Sequence, residues 1–292
     1  MPRLLLILLL GAPLAASAAP RPALVLVGGS LEDPRIVDEI LRLAGGPDQA
    51  RIGVITAASG DPKGGARYYE RLFAKHGARH VEWLSVDGRH KYRARSATLA
   101  QRAEGLNVFF LGGGDQSRLV SCLVEKDGRD TPLLAAIRRA HVRGAVVAGT
   151  SAGAAGQAAA VMITGGDSDA ARRDGAREGR PRGDDLTFRR GGLGFFPFGI
   201  PDTHFSQRER QDRLIRLAAD TGTRRAFGID ENTALIVERP LGQRPTMRAL
   251  GHGQVTVYDL SRTRRANGAG WPVRGVRTRI LGDGDRLNLS RR

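Results

Sequence analysis

Five short apolar runs, each breaking off at small or hydroxyl-bearing residues and followed by a helix-like stretch, restrict this chain more than any other feature. Ala23 to Val27 stops at Gly28-Gly29 and Arg51 to Ile55 stops at Thr56, while His80 to Val86, Asn107 to Leu111 and Gly144 to Ala148 continue the series. Amphipathic segments lie between them, at about 34 to 44, 65 to 76, 96 to 104 and 131 to 142, by the spacing of their apolar residues. Apolar runs alternating with amphipathic helices are the signature of βαβ units, so the expectation is an α/β fold whose largely parallel sheet lies between helical layers. In such a fold the functional loops sit at the carboxyl ends of the strands. Residues 19–292 carry no linker composition and no repeat, which predicts a single domain. Gly165 to Asp185 is rich in Gly, Asp and Arg with almost no bulky apolar residue, and is expected to be a surface loop.

With 41% of its 292 residues hydrophobic, the chain can bury a substantial core. Its single cysteine, Cys122, closes no intramolecular disulfide and belongs to no Cys-x-x-Cys pair, and no metal or cofactor is expected. Cys122 lies in the apolar run Leu119 to Val124, where a thiol behaves as a small buried hydrophobe. The net charge of +16 raises nucleic-acid binding, but only four of the 46 basic residues are Lys. The Arg residues are spread along the chain without interleaved aromatics to stack bases. A solvated basic surface is the expectation, with no nucleic-acid partner. Residues 1–18 read as a signal peptide: a basic start at Arg3, an apolar run from Leu4 to Leu10, and the small residues Ala16-Ser17-Ala18. The run is too short to span a bilayer, so the mature chain is expected to be secreted or periplasmic, with no membrane attachment after cleavage.

Ala145-Val-Val-Ala-Gly-Thr-Ser-Ala-Gly-Ala-Ala155 takes a buried strand straight into Gly149-Thr-Ser151-Ala-Gly153 and then into small helix formers. That is the pattern of a nucleophile elbow, which exposes the Ser151 hydroxyl beside helix N–H groups. A serine nucleophile needs a base. His76, His80, His90, His141 and His252 fall at helix ends or in turns, whereas His204 follows a strand in Pro201-Asp-Thr-His-Phe-Ser206. Ser206 and Glu209 have capping-box spacing, which predicts a helix beginning at Ser206 and leaves His204 on the strand-end loop. An acid that orients the imidazole is available in Gly228-Ile-Asp-Glu-Asn-Thr-Ala234. Glu231 is preferred, Asp230 stays open, and Asp202 lies too near His204 on the same strand end. A further strand ends at Gly112-Gly-Gly-Asp-Gln116, where Asp115 is positioned to cap a helix. The N–H groups of Gly113 and Gly114, with that of Ala152, are the candidate oxyanion hole. Neither Gly-x-x-x-x-Gly-Lys-Ser/Thr nor Gly-x-Gly-x-x-Gly with a ribose-binding acid is present, which argues against nucleotide binding. Hydroxyl, imidazole and carboxylate are expected to converge above one sheet.

Four segments in this order, Gly112-Gly-Gly-Asp-Gln116, Gly149-Thr-Ser-Ala-Gly153, Asp202-x-His204-Phe-x-x-Arg208-x-Arg210-x-x-Arg213 and Gly228-Ile-Asp-Glu-Asn-Thr-Ala234, resemble the dipeptidase E/cyanophycinase family of serine peptidases. The resemblance spans roughly residues 23 to 260. It implies a three-layer αβα, flavodoxin-like fold similar to class I glutamine amidotransferases, with serine in place of cysteine. It also implies Ser151 as nucleophile, His204 as base and Glu231 as orienting acid, with Gln116, Asp202, Thr203, Arg208, Arg210 and Arg213 at the substrate cleft. Thr203 departs from the Gln often found before the family's histidine, which bears on substrate selection. The implied reaction is hydrolysis of cyanophycin, a poly-aspartate carrying Arg on each side-chain carboxylate, to β-Asp-Arg dipeptides through an acyl-enzyme. An aspartyl or isoaspartyl dipeptidase and a non-catalytic amidotransferase-like binding protein are the alternatives, and a homodimer is left open as the assembly. An ordinary α/β-hydrolase esterase is disfavoured, because that fold places the acid between Ser and His in chain order.

Overall fold

A computed structural model describes residues 21–239, 244–265 and 271–288. The expected signal segment, residues 1–18, lies outside the described residues. The first half runs β1 (Ala23–Val27), α1 (Pro34–Leu43), β2 (Arg51–Ile55), α2 (Pro62–Lys75), β3 (His80–Trp83), α3 (Ala97–Glu104), β4 (Val108–Leu111), α4 (Gln116–Leu123), α5 (Pro132–Val142), β5 (Val146–Thr150) and the one-turn α6 (Ala152–Ala155). The second half adds β6 (Val161–Gly165), α7 (Ser168–Asp174), β7 (Arg177–Glu178), β8 (Thr187–Arg190), β9 (Ile200–Thr203), α8 (Gln211–Thr221), β10 (Arg225–Ile229) and β11 (Thr233–Glu238). It ends with β12 (Thr246–Gly251), β13 (Val255–Asp259), β14 (Arg264–Arg265), β15 (Val273–Arg274), β16 (Arg277–Leu281) and β17 (Arg286–Asn288).

The local sequence explains where the helices start. Asp33, Asp61 and Thr131 each accept a backbone N–H and are followed by a Pro in the first turn, where the missing N–H costs nothing. Asp115 accepts from the N–H groups of Ser117 and Arg118, so α4 begins where the sequence predicted. The capping box at Ser206 does not form. Ser206–Arg208 is a single 3-10 turn, Glu209 adopts left-handed geometry at φ 49°, and α8 starts only at Gln211. Gly165 to Asp185 is not simply a loop either, because α7 forms within it and buries Ala170 and Ala171. Two alanines and an Asp167 N-cap were enough to make a short helix in a stretch whose composition looked empty of core.

The main sheet has the order β17-β12-β11-β1-β5-β4-β2-β3. β1, β5, β4, β2 and β3 are parallel, and β11, β12 and β17 extend the sheet antiparallel from β1. Strand residues alternate between two buried faces. Leu24 and Leu26 join Phe109 and Val147 in one core with Leu99, Leu119 and Leu134 from α3, α4 and α5. Ala23, Val25 and Val27 join Phe110 and Val146 in the other, against Ile36, Ile40 and Phe73 from α1 and α2. Burial on both faces is why these strands read as unbroken apolar runs, and it yields the expected three layers.

A second sheet, β16-β13-β10-β9, packs onto the first core through Phe227, Ile229, Val255 and Val257. β9 and β10 are parallel and in register, with Thr203 opposite Ile229. The histidine and acid strands therefore belong to this sheet and the serine strand to the main one. The expectation of three groups above one sheet is corrected: the site is built where two sheets meet. Short apolar runs cannot say which sheet they join, since periodicity reports burial and not neighbours.

Candidate active site

The elbow at the end of β5 is tight for steric reasons. A Cβ on Gly149 would sit 2.4 Å from the Gly153 carbonyl oxygen, and one on Gly153 would sit 2.0 Å from that of Leu111. Only hydrogen at both positions lets α6 fold back against β5 and β4. Ser151, between them, takes φ 52° and ψ −116°, a strained conformation for a residue with a side chain. Its Oγ lies 2.7 Å from Nε2 of His204, and Nδ1 of His204 lies 2.6 Å from Oε1 of Glu231. An ionised carboxylate only accepts, so Nδ1 carries the ring proton and Nε2 is left to accept from the serine hydroxyl.

Electrostatics favour those protonation states. Burial pushes the His204 imidazole below its ordinary value, the hydrogen bond to Glu231 pulls it part of the way back, and Arg208 and Arg210 add to the lowering. The hydrogen bonds from His204 and Ser30 hold the Glu231 carboxyl below the usual carboxylate range. Asp230, the open alternative, is committed elsewhere: its oxygens accept the N–H groups of Ser206 at 2.9 Å and Gln254 at 3.2 Å. His76, His90 and His141 are bonded to Asp38, Asp87 and the Ala145 carbonyl respectively. Cys122 is a buried member of the first core, and burial raises its thiol.

Three successive carbonyls at the end of β1 fasten the three loops together. Val27 accepts the N–H of Ser151 at 2.9 Å, Gly28 that of His204 at 2.7 Å, and Gly29 that of Asn232 at 2.9 Å. Each glycine is needed for close approach. A Cβ at Gly28 would lie 2.1 Å from the Asp230 oxygen, and one at Gly29 would lie 2.3 Å from Cε1 of His204. Ser30 follows at φ 46° and donates its hydroxyl to Oε2 of Glu231 at 2.8 Å. The Val27 to Ser30 segment is part of the site, and the sequence reading passed over it. Its signal was present, since Gly28-Gly29-Ser30 ends a parallel strand on the carboxyl side, where loops of this fold carry function.

The candidate oxyanion groups lie beside the serine to differing degrees. A Cβ at Gly113 would be 3.5 Å from that of Ser151, which places this residue beside the serine side chain, and the Gly113 N–H donates to Tyr69 Oη at 3.4 Å. Gly114, at φ 134°, packs against the Ala58 carbonyl, where a Cβ would be 2.2 Å from the oxygen. Ala152 opens α6, so its N–H has no acceptor within the helix.

The substrate-cleft residues implied by the resemblance divide. Arg208 is exposed and lines a cavity of about 380 Å³ with Asp167, Ser168, Arg172, Glu209 and Asp212. Arg210 is mostly buried, donates to the Thr203 carbonyl at 2.6 Å, and is pushed down to about 10 by burial. Gln116 donates Nε2 to the Ile163 carbonyl at 2.7 Å, tying α4 to β6. Asp202, Thr203 and Arg213 are all buried, contrary to the expectation that they line the cleft. Arg213 is bidentate on Asp202, at 2.9 Å from Nε and 2.6 Å from Nη2. The reason is spatial: β9 is covered by α8, and a guanidinium and carboxylate enclosed together pair with each other.

The model of peptidase family S51 matches residues 24–240. A cyanophycinase from Trichormus variabilis is 34% identical over 285 residues, covering 94% of this chain and 88% of the relative. A cyanophycinase from Synechococcus elongatus is 34% identical over 277 residues, covering 91% and 79%. Among solved structures, a peptidase from an acI-B1 Actinobacterium aligns at TM-score 0.63 and 19% identity, covering 94% of this chain and 99% of its own. A putative peptidase E from Listeria monocytogenes aligns at TM-score 0.52 and 14% identity, covering 79% and 100%. Those two likenesses speak to fold alone. The family match covers β1 through β11, including both strand ends that bring the imidazole and carboxylate to the serine, and the chain belongs to peptidase family S51, as a serine-type peptidase.

Proposed function

We propose that the mature chain is a secreted or periplasmic peptidase that hydrolyses cyanophycin to β-Asp-Arg dipeptides, with Ser151 as nucleophile, His204 as general base and Glu231 as the orienting acid. The observation that carries the relay is the continuous contact from the Ser151 hydroxyl through the His204 ring to Glu231, at 2.7 Å and 2.6 Å. The substrate rests on the 34% identity to cyanophycinases over most of both chains. Secretion rests on the sequence of residues 1–18.

The product fixes the bond that breaks. A β-Asp-Arg dipeptide keeps its side-chain amide, so the scissile bond is the main-chain amide between successive aspartates. Nε2 of His204 takes the Ser151 proton as Oγ adds to that carbonyl, and the oxyanion is received by the N–H of Ala152, unpaired at the start of α6, and by that of Gly113, which turns from Tyr69 Oη. Collapse of the tetrahedral adduct breaks the C–N bond, and the imidazolium gives its proton to the departing amine. Water, deprotonated by the same imidazole, then hydrolyses the serine ester. Glu231 supports the imidazolium in both steps. An oxyanion donor of this kind contributes about 2.7–4 kcal/mol in comparable enzymes.

Incubation with insoluble cyanophycin tests this reading. The wild type is expected to release β-Asp-Arg, and Ser151→Ala to lose at least roughly a thousandfold in rate, in line with removal of a triad nucleophile. Turnover of short aspartyl peptides without release from the polymer would instead identify a dipeptidase. Failure of a fluorophosphonate to label Ser151 would leave a binding protein.

A further inference from the structure

The relay stops at one oxygen of Glu231, and a carboxylate has two. Oε1 faces His204, and among the described residues the only side chain bonded to Oε2 is Ser30. A glutamate reaches its functional position through three rotatable bonds, so a single contact leaves the carboxylate free to turn away from the ring. Two contacts on opposite oxygens define its plane.

We propose that Ser30 is a positioning residue for the relay, its hydroxyl holding Oε2 of Glu231 so that Oε1 stays on the imidazole. The inference rests on the function proposed above for Ser151, His204 and Glu231. Several independent observations converge on it. Ser30 is exposed and lies at φ 46°, a region where Gly or Asn would be easier to accommodate than Ser. A glycine there would relieve the strain but supply no hydroxyl. The contact is also charge-assisted, the stronger class of hydrogen bond.

The turn that presents the hydroxyl is itself held in place. Asn232 donates its N–H to the Gly29 carbonyl and accepts the Glu32 N–H on Oδ1 at 2.8 Å, which staples the turn after β1 to the turn after β10. The Glu231 N–H in turn reaches Gln207 Oε1 at 3.1 Å. One residue before Ser30, Gly29 packs against the imidazole, where an added Cβ would come within 2.3 Å of Cε1. A single turn thus sets the ring through Gly29 and the carboxylate through Ser30. Because the backbone bonds are separate from the hydroxyl, the hydroxyl can be removed without releasing the turn.

The charges acting on the His204–Glu231 pair come from Arg208, on the 3-10 turn, and Arg210, at the start of α8. Both stay in place when Ser30 is changed. If the Glu231 contact loosens, the imidazole loses the interaction that raises its proton affinity, while burial and the two guanidiniums still lower it.

The test is the rate of Ser151 labelling by a fluorophosphonate across pH, in the full mature chain, alongside thermal unfolding. Ser30→Gly is expected to label roughly tenfold or more slowly than wild type, with the acid limb of its profile moved to lower pH and an unfolding temperature no lower than wild type. Ser30→Asn tolerates the same backbone and carries a donor, and is expected to recover most of the rate. Ser30→Gly labelling at the wild-type rate throughout would overturn the proposal. So would a Ser30→Asn variant no faster than Ser30→Gly, since the defect would then belong to the turn. A wild type that does not label at Ser151 would remove the relay itself, and Ser30 would have nothing to position.

Discussion

At the scale of single residues, the proposed relay depends on His204 being neutral when it meets the serine. Its proton affinity is lowered chiefly by burial, with Arg208 and Arg210 contributing, against the raising effect of Glu231. The acid limb of kcat against pH is therefore expected below the ordinary imidazole value of 6.5. Arg208→Gln removes a positive charge that disfavours the imidazolium, so the limb should move toward higher pH; an unchanged midpoint would contradict the assignment. The serine was legible in the sequence because its turn is a local pattern, Gly149-x-Ser-x-Gly153 after a buried strand. The histidine was reached by its place after a strand, and Glu231 only as a preference over Asp230. What separated those two acids was their partners, and Asp230 spends its oxygens on two backbone N–H groups far away in sequence.

At the scale of elements, the segment from β9 to α8 shows where local rules stop. Ser206-x-x-Glu209 satisfies the spacing of a capping box, yet the chain first makes a 3-10 turn and the helix starts at Gln211. The tertiary bond from the Ser206 N–H to Asp230, together with the left-handed Glu209, outcompetes the local cap. Arg213 illustrates the same limit. The family resemblance implied a role in the cleft, whereas it projects from α8 as a buried fork on Asp202. That pair ties the helix to the strand that carries His204. Arg213→Ala leaves the Asp202 carboxylate buried beside only the more distant Arg210, at 3.6 Å, and is expected to cost about 3–5 kcal/mol of stability, measured by urea denaturation. A stability within about 0.5 kcal/mol of wild type, the range of ordinary surface substitutions, would mean that the pair is not structural.

At the scale of the whole molecule, two sheets share one core, and what the sequence revealed was the parallel half. The strand runs and helices of the first 150 residues fall close to their expected places, because burial on both faces leaves an unambiguous apolar signature. The second sheet was hidden, since its strands are equally short and nothing local says which neighbour each will take. Folding also leaves His204 and His141 with lowered proton affinity, in both cases chiefly through burial. Unfolded imidazoles bind protons more readily, so their contribution to stability is full above about 6.5 and is lost as pH falls through the lowered folded values. Thermal unfolding is expected at lower temperature at pH 5 than at pH 8, with His141→Gln reducing the difference. An equal melting temperature at both would count against it.

The three consecutive carbonyls that close β1 give the molecule a timetable as well as a geometry. Ser30 and Glu231 are separated by 201 positions, so during synthesis the anchoring strand emerges long before the last loop it must capture. Ser151, bonded to Val27, leaves the ribosome first, His204, bonded to Gly28, next, and Asn232, bonded to Gly29, last. A nascent or truncated chain ending before Glu231 carries Ser151 and His204 but not the acid between them and Ser30, so the proposed relay is complete only once synthesis has passed that residue.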